Sequence, residues 1–175
     1  IQPSAIPGDV IFEDVNQDGR ISQPDKTMIG NPHPKWTFGL TPSFSYKNFD
    51  FNMFFSGRLG VDVYFGAYRT DLNMNNKPEF FYTDAWTPEN PTDEWARMTA
   101  ADANNNFTHN SMFVFNGSFL RLQNVELGYT IPQNLTKQVG IQEFRVYVSG
   151  QNVFLWSDYP GDPEVGNTAA GFGNS

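Results

Sequence analysis

Trp36-Thr37-Phe38-Gly39-Leu40-Thr41-Pro42-Ser43-Phe44-Ser45-Tyr46, then Lys47-Asn48, then Phe49-Asp50-Phe51-Asn52-Met53-Phe54-Phe55-Ser56-Gly57-Arg58-Leu59-Gly60-Val61: this stretch decides the fold. In the first run the even positions are rings, Leu40 and Pro42, while the odd ones are Thr, Ser and Gly. A period of two puts one apolar and one polar face on an extended strand. In the second run Phe49, Phe51, Met53, Phe55, Leu59 and Val61 alternate with polar or small residues, and only Phe54 breaks the rule. Lys47-Asn48 is short enough for a tight hairpin turn between them. Pro42 has no N–H to give a ladder, so it needs an edge or a bulge.

Outward from the hairpin, residues 1–35 are rich in Pro, Gly, Asp and Asn and read as an irregular loop. Residues 62–118 show little regular pattern and read as one long loop. A third strand is expected over about 119–131. Its later half alternates Val125, Leu127, Tyr129 and Ile131 with polar residues, but its first half, around Leu120-Arg121-Leu122, gives no clear phase. Pro132 stops it, a helical turn is expected over Leu135 to Val139, and Gly140 ends that turn. The fourth strand, about 144–155, sets Phe144, Val146 and Val148 against Arg145, Tyr147, Ser149 and Gln151; residues 156–175 read as loop.

The connections alternate between short and long, and the strands approach the roughly 9 to 11 residues that cross a bilayer. Seventeen Phe, seven Tyr and four Trp make 16% of the chain, more than a soluble core of this size needs. Their clustering at strand ends is what interfacial girdles ask for. The expected fold is therefore all-β: about four antiparallel strands of a transmembrane β-barrel, with residues 36–61 and 119–155 as wall and the other segments as extracellular loops. The competing reading is a soluble β-sandwich, which would bury the same rings against a second sheet.

Composition narrows function. A net charge of -8 with eleven scattered Lys and Arg argues against nucleic acid. The absence of Cys removes thiolate metal sites and cysteine nucleophiles. No run of about 18 apolar residues suggests a membrane helix, and no signal peptide is legible. The Ile1 start and the polar Gly173-Asn174-Ser175 end read as cuts from something longer. Only His33 and His109 are present, no Ser, His and Asp set is suggested, and Glu89 with Asp93 lacks an apolar wall to split their pKa values. An enzyme is not expected.

Several segments, taken together and in order, resemble the SusC/RagA family of TonB-dependent outer-membrane transporters. They are Pro7-Gly8-Asp9-Val10, Asp14-Val15-Asn16-Gln17-Asp18-Gly19, Ile29-Gly30-Asn31-Pro32-His33-Pro34-Lys35, Trp86-Thr87-Pro88-Glu89-Asn90-Pro91, Gly117-Ser118-Phe119-Leu120-Arg121-Leu122, Leu127-Gly128-Tyr129-Thr130-Ile131-Pro132 and Arg145-Val146-Tyr147-Val148-Ser149-Gly150-Gln151-Asn152. The resemblance implies a barrel of roughly 22 strands with a plug. It also implies a location in the cell outer membrane, contact with TonB through an N-terminal part not in these residues, and a SusD-like surface lipoprotein partner. The implied cargo is oligosaccharide or peptide. The family closes its barrel with a final strand ending in an aromatic residue, and that strand is not expected within these residues.

Two sets of site residues are expected. Asp14, Asn16, Asp18, Arg20 through its carbonyl, Ser22 and Asp25, with Gly19 at the tight turn, follow the spacing of a calcium loop. The competing reading is a turn that caps itself through side-chain hydrogen bonds. Tyr82, Trp86 and Trp95, with Phe80 and Phe81, are candidates for cargo contact, against a role in packing the loop. Asp50, Asn52, Arg58, Glu126 and Arg145 would face the lumen or the plug.

Overall fold

The computed structural model describes residues 1–66, 78–99 and 102–165. They fall into two compact units, one within Ile1–Asn31 and Val63–Phe115, the other within Pro32–Asp62 and Asn116–Gly166. The strands are β1 (Trp36–Leu40), β2 (Ser43–Tyr46), β3 (Phe49–Leu59), β4 (Asp62–Tyr64), β5 (Val114–Asn116), β6 (Phe119–Thr130) and β7 (Arg145–Ser157). Two helical turns, α1 (Phe80–Thr83) and α2 (Gln133–Thr136), complete the regular elements with short 3-10 turns at Gln23–Asp25, Ser111–Phe113 and Lys137–Val139.

The second unit is one antiparallel sheet in the order β1-β3-β6-β7, with β2 also pairing β3. The first run of the hairpin is thus not continuous: it breaks at Thr41-Pro42, where proline cannot donate to β3. Its carbonyl still accepts from Met53 N at 3.0 Å, so the register carries through from Leu40 opposite Phe55 to Ser43 opposite Asn52. The break is tolerated because this strand lies at the edge of the sheet. The turn takes two residues, with Tyr46 opposite Phe49 and Lys47 in the left-handed region at φ 54, the sense that suits strand twist.

The unclear phase of the third strand has a local cause. Asn124 pairs Phe54 and Leu122 pairs Phe55, so Gln123 is an extra residue relative to β3. Such a bulge switches the outward parity of β6 from even (Leu120, Leu122) to odd (Val125, Leu127, Tyr129). β7 answers with Asn152 at φ 51, as Gln151 pairs Asn124 and Phe154 pairs Leu122. Phe54, the exception in the alternation, has its ring 3.3 Å from where a side chain on Gly39 would begin. It fills the gap left by that glycine on the neighbouring strand. The helical turn starts at Gln133, two residues before the expected start, and ends at Gly140 with φ 76. The fourth strand runs to Ser157 rather than 155.

The long segment is less irregular than its composition suggests. β4 and β5 pair at its two ends, and between them α1 and a bridge of Ala85 to Trp95 surround a core of rings. Phe81 and Phe113 are fully buried, and Phe65, Trp95 and Phe107 are nearly so. Trp95 lies 4.6 Å from Phe81 and 5.9 Å from Phe113, centroid to centroid. Stretches 67–77 and 100–101 of this segment, and the tail from 166, lie outside the described residues.

Candidate functional site

Direct partners in an antiparallel sheet project to the same face, so the register sorts the side chains of the second unit. One face carries Trp36, Phe38, Leu40, Phe44 and Tyr46 from β1 and β2, and Phe49, Phe51, Met53, Phe55 and Leu59 from β3. It continues with Leu120, Leu122, Val125, Leu127 and Tyr129 from β6, then Val146, Val148, Phe154 and Trp156 from β7. Only Gly57 and Gly150 interrupt it. The other face carries Ser43, Ser45, Asp50, Asn52, Ser56, Arg58, Arg121, Asn124, Glu126, Arg145, Ser149 and Gln151, with Phe54, Phe119, Tyr147 and Leu155 among them.

Among the described residues no second sheet covers the apolar face. Leu40 is 60%, Val148 68% and Phe154 58% exposed, whereas a sandwich would bury them. The face is graded along the strands. Tyr46, Phe49 and Tyr129 lie at one end, Trp36, Phe38 and Trp156 at the other, and Leu40, Met53, Phe55, Leu122 and Val125 between. From Phe49 to Leu59 is ten residue steps, about 33 Å along a strand and about 25 Å once tilted by about 40°. That is the height of a barrel's lipid-facing band, with rings where the headgroups lie.

The polar face is organised by arginines. Arg145 on β7 reaches across β6 to the Asp50 carboxylate on β3 and meets Glu126 Oε1 at 2.5 Å. It passes over Gly128, where an added Cβ would sit 2.3 Å from the guanidinium and 2.5 Å from Asp50 Oδ1. Gly128 is therefore required by a side-chain crossing rather than by a turn. The expectation that Asp50, Asn52, Arg58, Glu126 and Arg145 share one face holds in this register.

In the first unit the N-terminal segment is bound into the long loop by amides. Asn106, fully buried, accepts from Val10 N at 2.8 Å and donates to Asp9 Oδ1 at 2.8 Å. Arg97 Nε donates to the same Asp9 oxygen at 2.6 Å, and Ile6 N to the other at 2.9 Å. Burial pushes the Asp9 carboxyl up, but the Asn106 amide, the Ile6 N–H and the Arg97 guanidinium together outweigh it and hold it below its usual value. Asn104 and Gln2 both donate to the Val10 carbonyl, at 2.9 and 3.0 Å. Apart from Ile6 to Asp9, these pairings have no local sequence signal. Asp9 and Asn106 stand 97 positions apart.

The cargo candidates separate. Trp95 is a core residue. Trp86 packs on Gly8, whose φ of 88 and missing side chain admit the indole, since a Cβ there would lie 2.4 Å from the ring. Tyr82 is 57% exposed. Trp86 and Trp95 both border a groove of about 560 Å³, with Asp9, Asp93, Glu94 and Met112 among its other walls.

In the calcium-type loop the side chains point inward on their own backbone. Asp14 accepts from Asp18 N at 3.1 Å and Gly19 N at 2.8 Å, Asn16 Oδ1 from Asp18 N at 3.0 Å, and Asp18 Oδ1 from Arg20 N at 2.9 Å. Asp25 accepts from Ser22 N at 2.6 Å and Val15 N at 3.0 Å. These donors, Ser22 N first, hold the Asp25 carboxyl below its usual value. Among the described residues no three carboxylates or imidazoles converge closely enough to hold a metal ion by themselves, and the loop's side chains cap their own backbone. Each carboxylate oxygen still has a lone pair to offer.

No family model matches the chain. The TonB-dependent receptor P3 of Formosa agariphila is 35% identical over 91% of this chain and 16% of its own length. The TonB-dependent receptor P26 of that organism is 36% identical over 94% and 18%. The TonB-dependent receptor SusC of Bacteroides thetaiotaomicron is 33% identical over 89% and 15%. Among solved structures, the RagAB peptide transporter superposes with a TM-score of 0.66 at 26% identity, over 84% of this chain and 17% of that one. The chain thus spans less than a fifth of the length of these relatives. With an apolar and a polar face on one uncovered antiparallel sheet, and this likeness along nearly the whole length, the chain belongs to the SusC/RagA family of TonB-dependent receptors, of which it carries a stretch of barrel wall.

Proposed function

We propose that the chain is part of an outer-membrane importer driven through TonB, working with a SusD-like surface lipoprotein and taking in oligosaccharides or peptides. The observation that carries this reading is the division of one sheet into an uncovered apolar face, ringed at both ends by aromatics, and a face of arginines, carboxylates and amides. The first suits lipid and the second a water-filled interior. Its contribution is structural, as wall and outer loop of a gated pore, and catalysis has no part in it. The likeness to the RagAB peptide transporter supports peptide cargo, and oligosaccharide stands beside it on the family resemblance alone. The test is fractionation of cells carrying the full-length protein, with uptake of labelled oligosaccharide and peptide pools measured with and without TonB. Outer-membrane partition and TonB-dependent uptake of one pool are expected. A parent protein found in the soluble fraction would end the reading in favour of a carbohydrate-binding sandwich.

The Asp14 to Asp25 loop is proposed as a calcium site on its ligand spacing and the lone pairs left on its carboxylates. Calcium titration of the full-length protein by calorimetry, with Asp14→Asn and Asp18→Asn, tests it. Binding that both substitutions weaken is expected, and no heat beyond that of magnesium would leave the loop a self-capped turn.

A further inference from the structure

After β7 the chain folds back over the polar face of its own sheet. Tyr159 N donates to Ser157 Oγ at 3.1 Å, Pro163 is buried, and the strap of residues 158–165 delivers two carboxylates to Arg121. Asp162 Oδ1 accepts from Arg121 Nη2 at 2.5 Å, and Glu164 Oε2 lies 2.5 Å from Arg121 Nε. Arg121 is 8% exposed.

The fit is incomplete. Two buried side-chain atoms have no hydrogen-bond partner among the described residues: Arg121 Nε, which Glu164 approaches off the hydrogen-bond line, and Ser56 Oγ. The register puts Ser56 directly opposite Arg121, so the unpartnered hydroxyl and the guanidinium nitrogen met off its hydrogen-bond line are neighbours on one face. Unsatisfied buried polar atoms of this kind call for an explanation. Arg58 stands beside them. Its guanidinium and that of Arg121 flank the Phe119 ring at 5.9 and 6.0 Å, and Arg58 has no ion-pair partner among the described residues. A guanidinium fork matches one planar carboxylate through Nε and Nη2 together. The strap instead gives it two carboxylates, one nitrogen each.

We infer that Arg121, Ser56 and Arg58 form a carboxylate-binding subsite on the polar face, which the strap's Asp162 and Glu164 occupy until a carboxylate ligand displaces them. A single ligand carboxylate would take both Arg121 nitrogens and bring an oxygen to Ser56 Oγ, with Arg58 meeting the charge left over as the strap departs. The inference rests on the barrel reading, which gives this face to the water-filled interior. Both a peptide C-terminus and a uronate present the required group.

The test uses the purified full-length protein and two probes, pentaglycine with a free C-terminus and trigalacturonate, each beside its uncharged control, pentaglycine amide and trigalactose. Asp162→Asn with Glu164→Gln leaves Arg121 free. If the strap holds the subsite about nine-tenths of the time, that pair raises affinity for a carboxylate probe about tenfold. The controls stay unchanged, and Ser56→Ala, Arg58→Gln or Arg121→Lys reverses the gain. Tightening with pentaglycine alone assigns the subsite to peptide ends, and with trigalacturonate alone to acidic sugars. An unchanged affinity, or equal gains for probe and control, overturns the inference. Arg121→Lys keeps the charge while losing the fork, and Ser56→Ala removes a hydroxyl with no partner, so neither depends on the fold surviving loss of a buried cation. Binding is read without transport, so failure here is distinct from failure of the importer reading, which membrane fractionation decides.

Discussion

Leu40→Arg separates a lipid-facing wall from a water-facing one. Leu40 is 60% exposed on the apolar face and pairs Phe55. Four residue steps from Trp36 place it about 13 Å along the strand and, at a tilt of about 40°, about 10 Å below the upper ring of aromatics. That is close to the middle of a band about 25 Å tall. An arginine near the bilayer midplane costs about 2 to 4 kcal/mol, which shifts the folding equilibrium by roughly 30- to 900-fold. In water the same exposed position would tolerate arginine within about 0.5 kcal/mol. Ser43→Arg, on the polar face of the continuing edge, is the paired control and is expected to stay within about 0.5 kcal/mol. The assay is reversible unfolding of the full-length protein in lipid vesicles by denaturant titration, followed through tryptophan fluorescence. If Leu40→Arg and Ser43→Arg destabilise equally, the assignment of faces to lipid and lumen is refuted, whatever the family.

Gly128→Ala should part Arg145 from Asp50; a double-mutant cycle with Asp50→Asn and Arg145→Gln should then show coupling in the glycine background and none in the alanine background. Phe113→Ala, at the centre of the loop's aromatic core, should destabilise the first unit by about 3 to 5 kcal/mol, whereas Tyr82→Ala should change it by less than about 0.5 kcal/mol, both read by hydrogen exchange. The lowered Asp9 carboxyl contributes stability that is full above its unfolded value near 3.8 and is lost as pH falls through the still lower folded value. Protection of the Val10 amide should therefore fall below about pH 4, and Asp9→Asn should abolish that dependence.

The strands were legible because lipid and water impose a period of two that each strand carries in its own residues. The Lys47-Asn48 turn, the stop at Pro132 and the end at Gly140 were equally local. What stayed hidden depended on a partner strand. The phase of Leu120 to Leu122 made sense only once Gln123 proved to be a bulge against β3, and Phe54 looked like an error until Gly39 lay beneath it. Gly128 carried no turn signal, because what it makes room for is an arginine from another strand. The packing of Trp86 and Trp95 was hidden for the same reason: a ring in an Asn-rich loop reads alike whether it meets cargo or core, and only the tertiary structure sets Trp86 on Gly8 and Trp95 against Phe81 and Phe113. The sequence by itself determined the two-faced strands, the short turns and the family. The tertiary structure decided the pairing of Asp9 with Asn106, the aromatic core of the loop and the strap on Arg121, because such contacts join segments distant in sequence whose closure entropy only long-range packing can offset.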